Sequence, residues 1–268
     1  MSRCIGIILF FLLCLPLFPE STGFEVGLRY GMGSRLPGRF DGNLQQFSSS
    51  FSPLVFSDVN LSGGKATNNY EAFIRWMLDS RNRVGFVVGR NDWDILKLTE
   101  VTSDLYYTKL ESEIYSYTFL GMYHFTTPLF RNFEWENGLG MGFTSADWNV
   151  RGYSIGEPLP DTQYFNQRGR LRGSGLTFRA ESAINYRLAG NNFIQLGLGY
   201  HHIAIDKFSG SYNGESSSFY IRGDGRVGVF DDTRVIDASV SSAQSFRRLD
   251  MNTGSWMLYF SVFQRFLD

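Results

Sequence analysis

The stretch FEWENGLGMGF, residues 133–143, is the clearest indication of the fold, because it alternates strictly between two kinds of side chain. Its odd positions are apolar except for Asn137, and its even positions are glutamate or glycine. A period of two residues places successive side chains on opposite faces of a β-strand. The stretch therefore predicts a strand with one apolar face and one face that carries only charges or no side chain at all.

The same alternation recurs along the rest of the chain. It is found at residues 24–32, 70–78, 84–88, 115–125, 176–186, 194–200 and 256–266. In the first of these stretches Val26 and Leu28 alternate with Glu25 and Arg29. Together with residues 133–143 these stretches predict eight strands in one domain.

The connections between these stretches alternate between short and long. Residues 79–83, 126–132 and 189–192 are short and rich in turn formers, whereas residues 34–68, 90–112, 144–174 and 203–255 are long and polar. Short turns on one rim and long loops on the other are typical of transmembrane β-barrels. We therefore predict an all-β fold, a closed antiparallel transmembrane β-barrel of eight strands with short periplasmic turns and long extracellular loops.

Two other architectures share parts of this pattern. A soluble barrel with its apolar face inward shows the same alternation, but aromatic residues near the strand ends, such as Trp76, Trp135 and Trp256, favour a membrane interface. A ten-stranded barrel would pass a hairpin around Gly223–Gly225 through the membrane. The runs Ser216–Ser218 and Asp231–Asp232 beside that hairpin are poor lipid-facing sequence, so eight strands are favoured.

The first 23 residues have the composition of a signal peptide. Arg3 precedes an apolar run over residues 5–18, and residues 19–23 give a small-residue exit. Both cysteines, Cys4 and Cys14, lie in this leader, so the barrel domain, residues 24–268, is predicted to contain no disulfide. The net charge of −1 argues against a nucleic-acid partner.

Glycine-rich strands carry a resemblance to a known family. The segments GLGMGF at residues 138–143 and GLGY at residues 197–200, with four long loops, are similar to small OmpA/OmpX-type and related porin-family outer-membrane barrels. The resemblance implies a location in the bacterial outer membrane, contact with its lipid and lipopolysaccharide, and folding by the barrel-assembly machinery. Family members usually end on an aromatic residue, whereas here Leu267 and Asp268 follow Phe266.

Charged residues occupy the face that an eight-stranded barrel turns inward. The predicted lumen network comprises Glu25, Arg29, Glu71, Arg75, Glu134, Glu136, Arg179, Glu181 and Arg187. Such a barrel is only wide enough for its own side chains, so these charges are expected to pair. If the numbers of the two residues in each pair between the first two strands sum to 100, this single register places Glu25 opposite Arg75 and Arg29 opposite Glu71. A structural plug is favoured over an ion pathway.

No catalytic residue, cofactor or metal site is assigned from the sequence. The alternative of a hydrolase places His201, Asp92, Asp94 and Asp206 near the outer rim, as in omptin proteases, but nothing in the sequence fixes their mutual geometry. The three histidines have no metal-ligand spacing, and His124 is interpreted as an interfacial residue near a periplasmic turn.

Two features of the loops suggest interactions at the cell surface. Arg222, Gly223 and Asp224 spell an adhesion tripeptide in the last long loop, although Asp-Gly is also a common turn pair. Arginines cluster at Arg35 and Arg39, at Arg168, Arg170 and Arg172, and at Arg247 and Arg248. Guanidinium groups suit phosphate and sulfate, so these clusters could bind lipopolysaccharide phosphates or host polyanions.

Three hypotheses about function follow. The leading one is a non-enzymatic outer-membrane barrel with a charge-plugged lumen, acting in envelope structure or surface interaction through its long loops. The second is a narrow channel for small solutes. The third is an outer-membrane hydrolase with an Asp/His site at the outer rim.

Overall fold

The computed structural model describes residues 23–36, 57–62, 65–102, 106–156, 163–212, 215–221, 227–230, 247–248 and 251–267. These residues form β-strands joined by turns. The strands are β1 Gly23–Arg35, β2 Ser57–Ser62, β3 Ala66–Met77, β4 Asn82–Trp93, β5 Leu96–Thr102, β6 Tyr106–Pro128, β7 Phe133–Gly156, β8 Gln163–Arg187, β9 Asn192–Tyr212, β10 Glu215–Ile221, β11 Val227–Phe230, β12 Arg247–Arg248 and β13 Met251–Leu267. In this part of the chain no helix is long and apolar enough to cross a membrane.

Eight of the strands close into an antiparallel barrel. Their order around the barrel is β1, β3, β4, β6, β7, β8, β9 and β13, and β13 pairs back onto β1. The predicted count of eight is confirmed. The alternative of ten strands is wrong, because β13 pairs directly with both β9 and β1, while β10 and β11 form a hairpin that continues from the end of β9.

Several strands are longer than the sequence pattern predicts. β6, β7, β8 and β9 each contain more than twenty residues and continue into segments that we predicted as loops. Residues 144–174 are not one long loop, since β7 runs to Gly156 and β8 begins at Gln163. The shorter strands β5 and β10 pair with β6 and β9, and β2 pairs with β5.

The three periplasmic turns are short, as predicted, and comprise residues 78–81, 129–132 and 188–191. The first is held by Asp79, whose Oδ1 accepts hydrogen bonds from the backbone N–H groups of Arg81 and Asn82, each at 2.7 Å. In the third turn Gly190 adopts a φ of 58°, a left-handed conformation that glycine accepts without strain.

In the part of the barrel next to the periplasmic turns, the lower part, the apolar side chains point outward. We call this part the membrane segment: β1, β3, β4 and β13 with residues 117–128, 133–144, 175–187 and 192–204. Leu139 and Leu196 are 66% and 57% exposed on its outer surface, while Glu136 and Gln195 are buried inside. Because a water-soluble barrel would show the opposite arrangement, the chain is a transmembrane β-barrel of the outer-membrane type.

In the upper part of the barrel the two faces exchange character. We call this part the outer segment: residues 106–116, 145–156, 163–174 and 205–212. On β7 the outward series passes from Phe143 through Ser145 to Asp147, while Trp148 points inward and is 6% exposed. The membrane boundary therefore lies near Ser145 on this strand.

Inward-facing apolar side chains pack together in the part of the outer segment nearest the membrane and at the adjoining rim of the membrane segment. The buried cluster consists of Trp93, Ile114, Ala146, Trp148, Val150, Leu171, Ile203, Ile205, Phe208 and Met251. The polarity of this part is that of a water-soluble β-structure, with apolar side chains inside and polar side chains outside.

Candidate functional sites in the lumen and on the outer wall

The lumen of the membrane segment is crossed by a network of ion pairs. Five glutamates and five arginines take part: Glu25, Glu71, Glu134, Glu136 and Glu181 with Arg29, Arg75, Arg83, Arg179 and Arg265. The two signs balance within the network. Removing ions from water is costly unless they pair closely, so this balance is what allows ten charged groups to share one narrow lumen.

The first two barrel strands pair in the register that aligns their charges. Residues of β1 and β3 that face each other sum to 100 throughout, which places Glu25 opposite Arg75 and Arg29 opposite Glu71. The Oε2 atom of Glu25 lies 2.8 Å from Nη2 of Arg75, and Nη1 of Arg29 lies 3.4 Å from Oε2 of Glu71. Between these pairs Gly27 leaves room for Phe73, because a Cβ atom at Gly27 would lie 2.5 Å from Cζ of that ring.

Both arginines also reach carboxylates on the far wall of the lumen. Nη1 of Arg29 lies 2.7 Å from Oε2 of Glu181 on β8, and Nη1 of Arg75 lies 2.5 Å from Oε1 of Glu136 on β7. From the far wall, Arg179 of β8 donates hydrogen bonds to both carboxylate oxygens of Glu71 on β3. The network therefore ties β1 and β3 to β7 and β8 across the barrel.

At the periplasmic end two further arginines complete the network. Nε of Arg265 lies 2.8 Å from Oε1 of Glu25, and its Nη2 lies 2.9 Å from Oε2 of Glu134. Arg83 lies 3.2 Å from both Glu25 and Glu136. Sequence reasoning missed both arginines, although their odd numbers on strands whose even positions face lipid would have placed them inside.

The structure corrects the positions of Arg187 and His124. Arg187 is exposed and lies outside the network, because β8 ends there and its Nε donates to the carbonyl of Gly190 in the adjoining turn, at 2.6 Å. His124 is not interfacial but buried in the lumen, with Nε2 2.9 Å from Oε1 of Glu181. Its neighbours Tyr123 and Phe125 face lipid, and strand alternation therefore turns His124 inward.

One part of the network has the spacing of a metal site. Ligand atoms of His124, Glu136 and Glu181 lie within 4.8 Å of one another, a cluster that the sequence did not predict. Glu136 already pairs with Arg75, and Glu181 pairs with Arg29, so a divalent cation would compete with charges that the protein itself supplies. We therefore assign these side chains to the ion-pair network.

Bulky uncharged side chains close the space that the ion pairs leave. The rings of Phe193 and Phe263 stack at a centroid distance of 5.0 Å, and Phe73 packs against Phe263 at 6.1 Å. Tyr259 lies over Gly197, where any side chain would collide with its ring, and the guanidinium of Arg29 lies 3.9 Å from the centroid of that ring. Charged and aromatic groups thus alternate along the lumen.

The Asp/His set of the hydrolase hypothesis does not come together. His201 points into the lumen, where it is 3% exposed and its Nε2 lies 2.6 Å from Oγ1 of Thr177. Asp92 points outward and pairs with Arg90 at 2.6 Å. Asp94 and Asp206 are exposed. The barrel wall separates His201 from Asp92, which corrects their placement as one group at the rim.

The structure describes only some of the surface arginines and none of the tripeptide that the sequence singled out. Arg222, Gly223 and Asp224 lie outside the described residues, as does Arg39. Arg247 and Arg248 form β12, and Arg35 is buried with its guanidinium 5.5 Å from the ring centroid of Trp93. Only the cluster on β8 is shown on the outer wall, where Arg168, Arg170 and Arg172 are all exposed.

Comparisons with known proteins add likenesses of fold. No family model and no curated protein matches the chain. The chain resembles Neisserial surface protein A (10% identity over 92% of this chain and 100% of that chain, TM-score 0.39) and OprG from Pseudomonas aeruginosa (11%, 92% and 98%, 0.42). It also resembles the outer membrane protease OmpT from Escherichia coli (8%, 92% and 97%, 0.36). The fold assignment rests on the strand pairing and on the polarity of the two faces, independently of these likenesses.

Proposed function

We propose that this protein is a non-enzymatic outer-membrane barrel, closed to solutes, that acts in envelope structure or surface interaction through its outer segment and the connections above it. The observation that carries the proposal is the filled lumen. Paired charges occupy the membrane segment, and an apolar cluster occupies the outer segment. Contact with lipopolysaccharide and folding by the barrel-assembly machinery belong to the same proposal.

The composition of the lumen supports closure rather than conduction. A hydrated ion entering from the periplasm would have to displace a guanidinium or a carboxylate from its partners, and each displaced group would lose a charge-assisted contact. Beyond the network it would meet the cluster around Trp148 and Leu171, which offers an ion no hydration. Two unlike barriers in series make a stable plug.

The outer segment is suited to presenting a surface. Long strands paired in register carry its polar side chains outward, and the apolar cluster fixes those strands from within. Function at the cell surface would then depend on a rigid β-structure that supports the connecting segments. Binding and catalytic residues are commonly found on loops that a rigid scaffold positions.

Planar-bilayer conductance tests closure. We expect no steady current from the wild-type protein or from Arg75→Ala/Glu136→Ala, because the apolar cluster still blocks the outer segment. A measurable current is expected when Trp148→Ala and Leu171→Ala are added to that neutral double variant, since both barriers are then weakened. Arg187→Ala, an exposed position at the turn, serves as the control and is expected to remain closed. Large steady currents from the wild type would overturn the proposal in favour of the narrow channel.

Hydrolysis assays test the absence of enzymatic activity. The reconstituted wild type is expected to leave peptides and lipid A intact over the time in which an active outer-membrane hydrolase turns over. Turnover by the wild type that His201→Ala or Asp94→Ala abolishes, with unchanged heat-modifiable gel mobility, would establish the hydrolase instead.

A further inference from the structure

The outer wall carries a stripe of arginines just above the lipid-facing surface. Arg168, Arg170 and Arg172 occupy alternate positions of β8, so all three point outward, and each is exposed. Successive residues on one face of a strand are about 6.8 Å apart, and the three arginines therefore form a row along the strand. On the neighbouring strand β9 the facing residues are Ser209 and Ser211.

The charge of this stripe is only partly compensated by the protein. Nε of Arg172 lies 2.7 Å from Oδ1 of Asp147, but the Arg172 side chain remains 64% exposed. Arg170 makes no ion pair with any residue that the structure describes, and it faces Asn149 on β7. Arg170 and Arg172 beside the single carboxylate of Asp147 leave an excess of positive charge at these two positions.

The height of the stripe above the membrane limits what it can contact. On β8 the outward apolar residue nearest the stripe is Leu176, which follows Arg172 by four residues in the chain. With a rise of 3.3–3.4 Å per residue and a tilt of 35–45°, a strand gains about 2.5 Å of height per residue, which puts Arg172 about 10 Å and Arg170 about 15 Å above the hydrocarbon. A bilayer's polar zone is only about 5–8 Å thick on each side. The stripe thus lies level with a large headgroup rather than with the phosphate of a simple phospholipid.

Directly below the stripe the lipid-facing surface is indented. A groove of about 660 Å³ runs obliquely over β3, β4, β6, β7, β8 and β9. Its floor contains the small residues Gly121 and Ala180, and Phe86, Met141 and Phe178 stand around them. Because this face borders hydrocarbon, its occupant in a membrane is an acyl chain.

We propose that the groove and the arginine stripe together bind a phosphorylated glycolipid of the outer leaflet, with an acyl chain against Ala180 and phosphate groups of the sugar headgroup on Arg170 and Arg172. Phe178 lies six residues below Arg172 on the same strand, so the two halves of the site are about 15 Å apart in height. One amphipathic molecule spans that distance. The guanidinium fork is suited to phosphate oxygens. This inference rests on the proposed contact with lipopolysaccharide, which it assigns to named residues, but it does not depend on closure of the lumen.

Lipid retention measured by native mass spectrometry tests the proposal. The full protein is reconstituted in phosphatidylcholine with lipopolysaccharide that carries lipid A and a phosphorylated inner core, with the same glycolipid after dephosphorylation, or with phosphatidylglycerol. We expect about tenfold stronger retention of the phosphorylated glycolipid than of either comparison lipid, since two exposed charge-assisted contacts account for a factor of that order.

Two pairs of variants separate the halves of the site. Arg170→Gln/Arg172→Gln is expected to lose the tenfold preference, while Arg81→Gln on the periplasmic turn keeps it. Ala180→Phe, which fills the groove, is expected to weaken retention roughly threefold, whereas Ala72→Phe on the lipid face outside the groove leaves it unchanged. Arg170→Lys/Arg172→Lys preserves the charge and guards against a loss caused by misfolding, which gel mobility also reports.

The outcomes that overturn the proposal are distinct. Equal retention of phosphorylated and dephosphorylated glycolipid, or an unchanged preference in Arg170→Gln/Arg172→Gln, would remove the headgroup site. Equal behaviour of Ala180→Phe and Ala72→Phe would remove the groove as the place of the acyl chain. Equal retention of phosphatidylglycerol would show that any anionic lipid suffices.

Discussion

The membrane segment and the outer segment are built from the same long strands, yet they are inside out with respect to each other. On β8 the outward residues change from Phe178 and Leu176 to Arg172, and the inward residues change from Arg179 to Leu171. The strand pairing continues through the change between β7 and β8. Between β8 and β9, by contrast, the register shifts between Gly173 and Gly175, close to the boundary. The β7–β8 ladder thus shows that the polarity of the two faces can be exchanged without any break in strand pairing.

The difference also shows that the two segments are stabilised in different ways. In the membrane segment, lipid covers the apolar face whether or not the lumen is well packed, so the specificity of the interior depends on charges that must find partners. In the outer segment, water surrounds the polar face, and burial of the apolar cluster supplies the stabilisation. The same substitution should therefore have different effects in the two segments.

Removing one charge from the lumen network should have the largest effect. Glu136 is 1% exposed and contacts both Arg75 and Arg83, so Glu136→Leu takes one carboxylate from each of two buried guanidinium groups and leaves the network with an unbalanced positive charge. We expect the free energy of unfolding to fall by about 3–5 kcal/mol. Urea unfolding in lipid vesicles, followed by tryptophan fluorescence, measures the change.

The outer segment supplies a matched control for this prediction. Glu113 pairs with Arg151 at 2.9 Å on the outer wall, where the two side chains are 45% and 63% exposed. Glu113→Leu should therefore change the free energy of unfolding by no more than about 1 kcal/mol. Equal losses at both glutamates would contradict the view that the lumen of the membrane segment depends on its charges in a way the outer wall does not.

A second comparison exchanges the roles of the segments by truncating a leucine in each. Leu171 is fully buried in the apolar cluster, and Leu171→Ala should reduce the free energy of unfolding by about 2–5 kcal/mol because a cavity remains. Leu139 is 66% exposed to lipid, and lipid chains can occupy the vacated space, so Leu139→Ala should have an effect below about 1 kcal/mol. The same unfolding assay decides, and a larger loss at Leu139 would refute the proposed reversal.

Much of the membrane segment could be predicted from sequence because lipid imposes a strict rule on one face. The alternation at residues 133–143 and 24–32 gave the strands, and matching the charges of Glu25 and Arg29 gave the pairing register. The prediction that residues 144–174 form a loop is wrong for a physical reason. Ala146, Trp148 and Val150 alternate with polar residues as regularly as the residues before them, but here the apolar residues have even numbers, whereas in residues 133–143 they have odd numbers.

The lumen network was predictable in kind but not in detail. Alternation places a charge inside, yet which carboxylate Arg29 prefers depends on the width of the lumen, and the shortest contact is to Glu181 rather than to its strand neighbour Glu71. Odd-numbered residues of β8 face the lumen, so Arg187 was expected there. It lies at the end of β8, however, where its side chain donates to a backbone carbonyl of the adjoining turn. The orientation of a side chain at the end of a strand depends on the geometry of the adjoining turn, and the alternation of the sequence does not indicate that geometry.

A third comparison introduces a charge at two depths of the same outward face. Met141 lies on the lipid-facing part of β7, 60% exposed, and Asn149 lies on the same face in the outer segment. Met141→Arg should cost about 2–4 kcal/mol near the middle of the bilayer, whereas Asn149→Arg should cost close to nothing in water. Unfolding in vesicles measures both, and comparable losses would mean that the membrane boundary does not lie between the two positions.

The smallest expected effect concerns a periplasmic turn, outside both segments. The Asn82 side chain donates to Asp79 at 2.7 Å and, with the N–H groups of Arg81 and Asn82, lowers the pKa of the Asp79 carboxyl. A carboxyl whose pKa is lower in the folded state stabilises the fold above its unfolded pKa, near 3.9, and that contribution is lost as the pH falls through the folded value. The stability difference between wild type and Asp79→Asn should therefore shrink below pH 4.

Urea midpoints of the wild type and Asp79→Asn, measured side by side from pH 7 to pH 2, isolate this carboxyl because the lumen glutamates titrate in both proteins. Asn82→Ala removes the leading cause of the shift while it keeps the backbone donors, so its pH dependence should lie between those of the other two proteins. A difference that stays constant with pH would mean that the turn is held by its backbone geometry and not by the charge of Asp79.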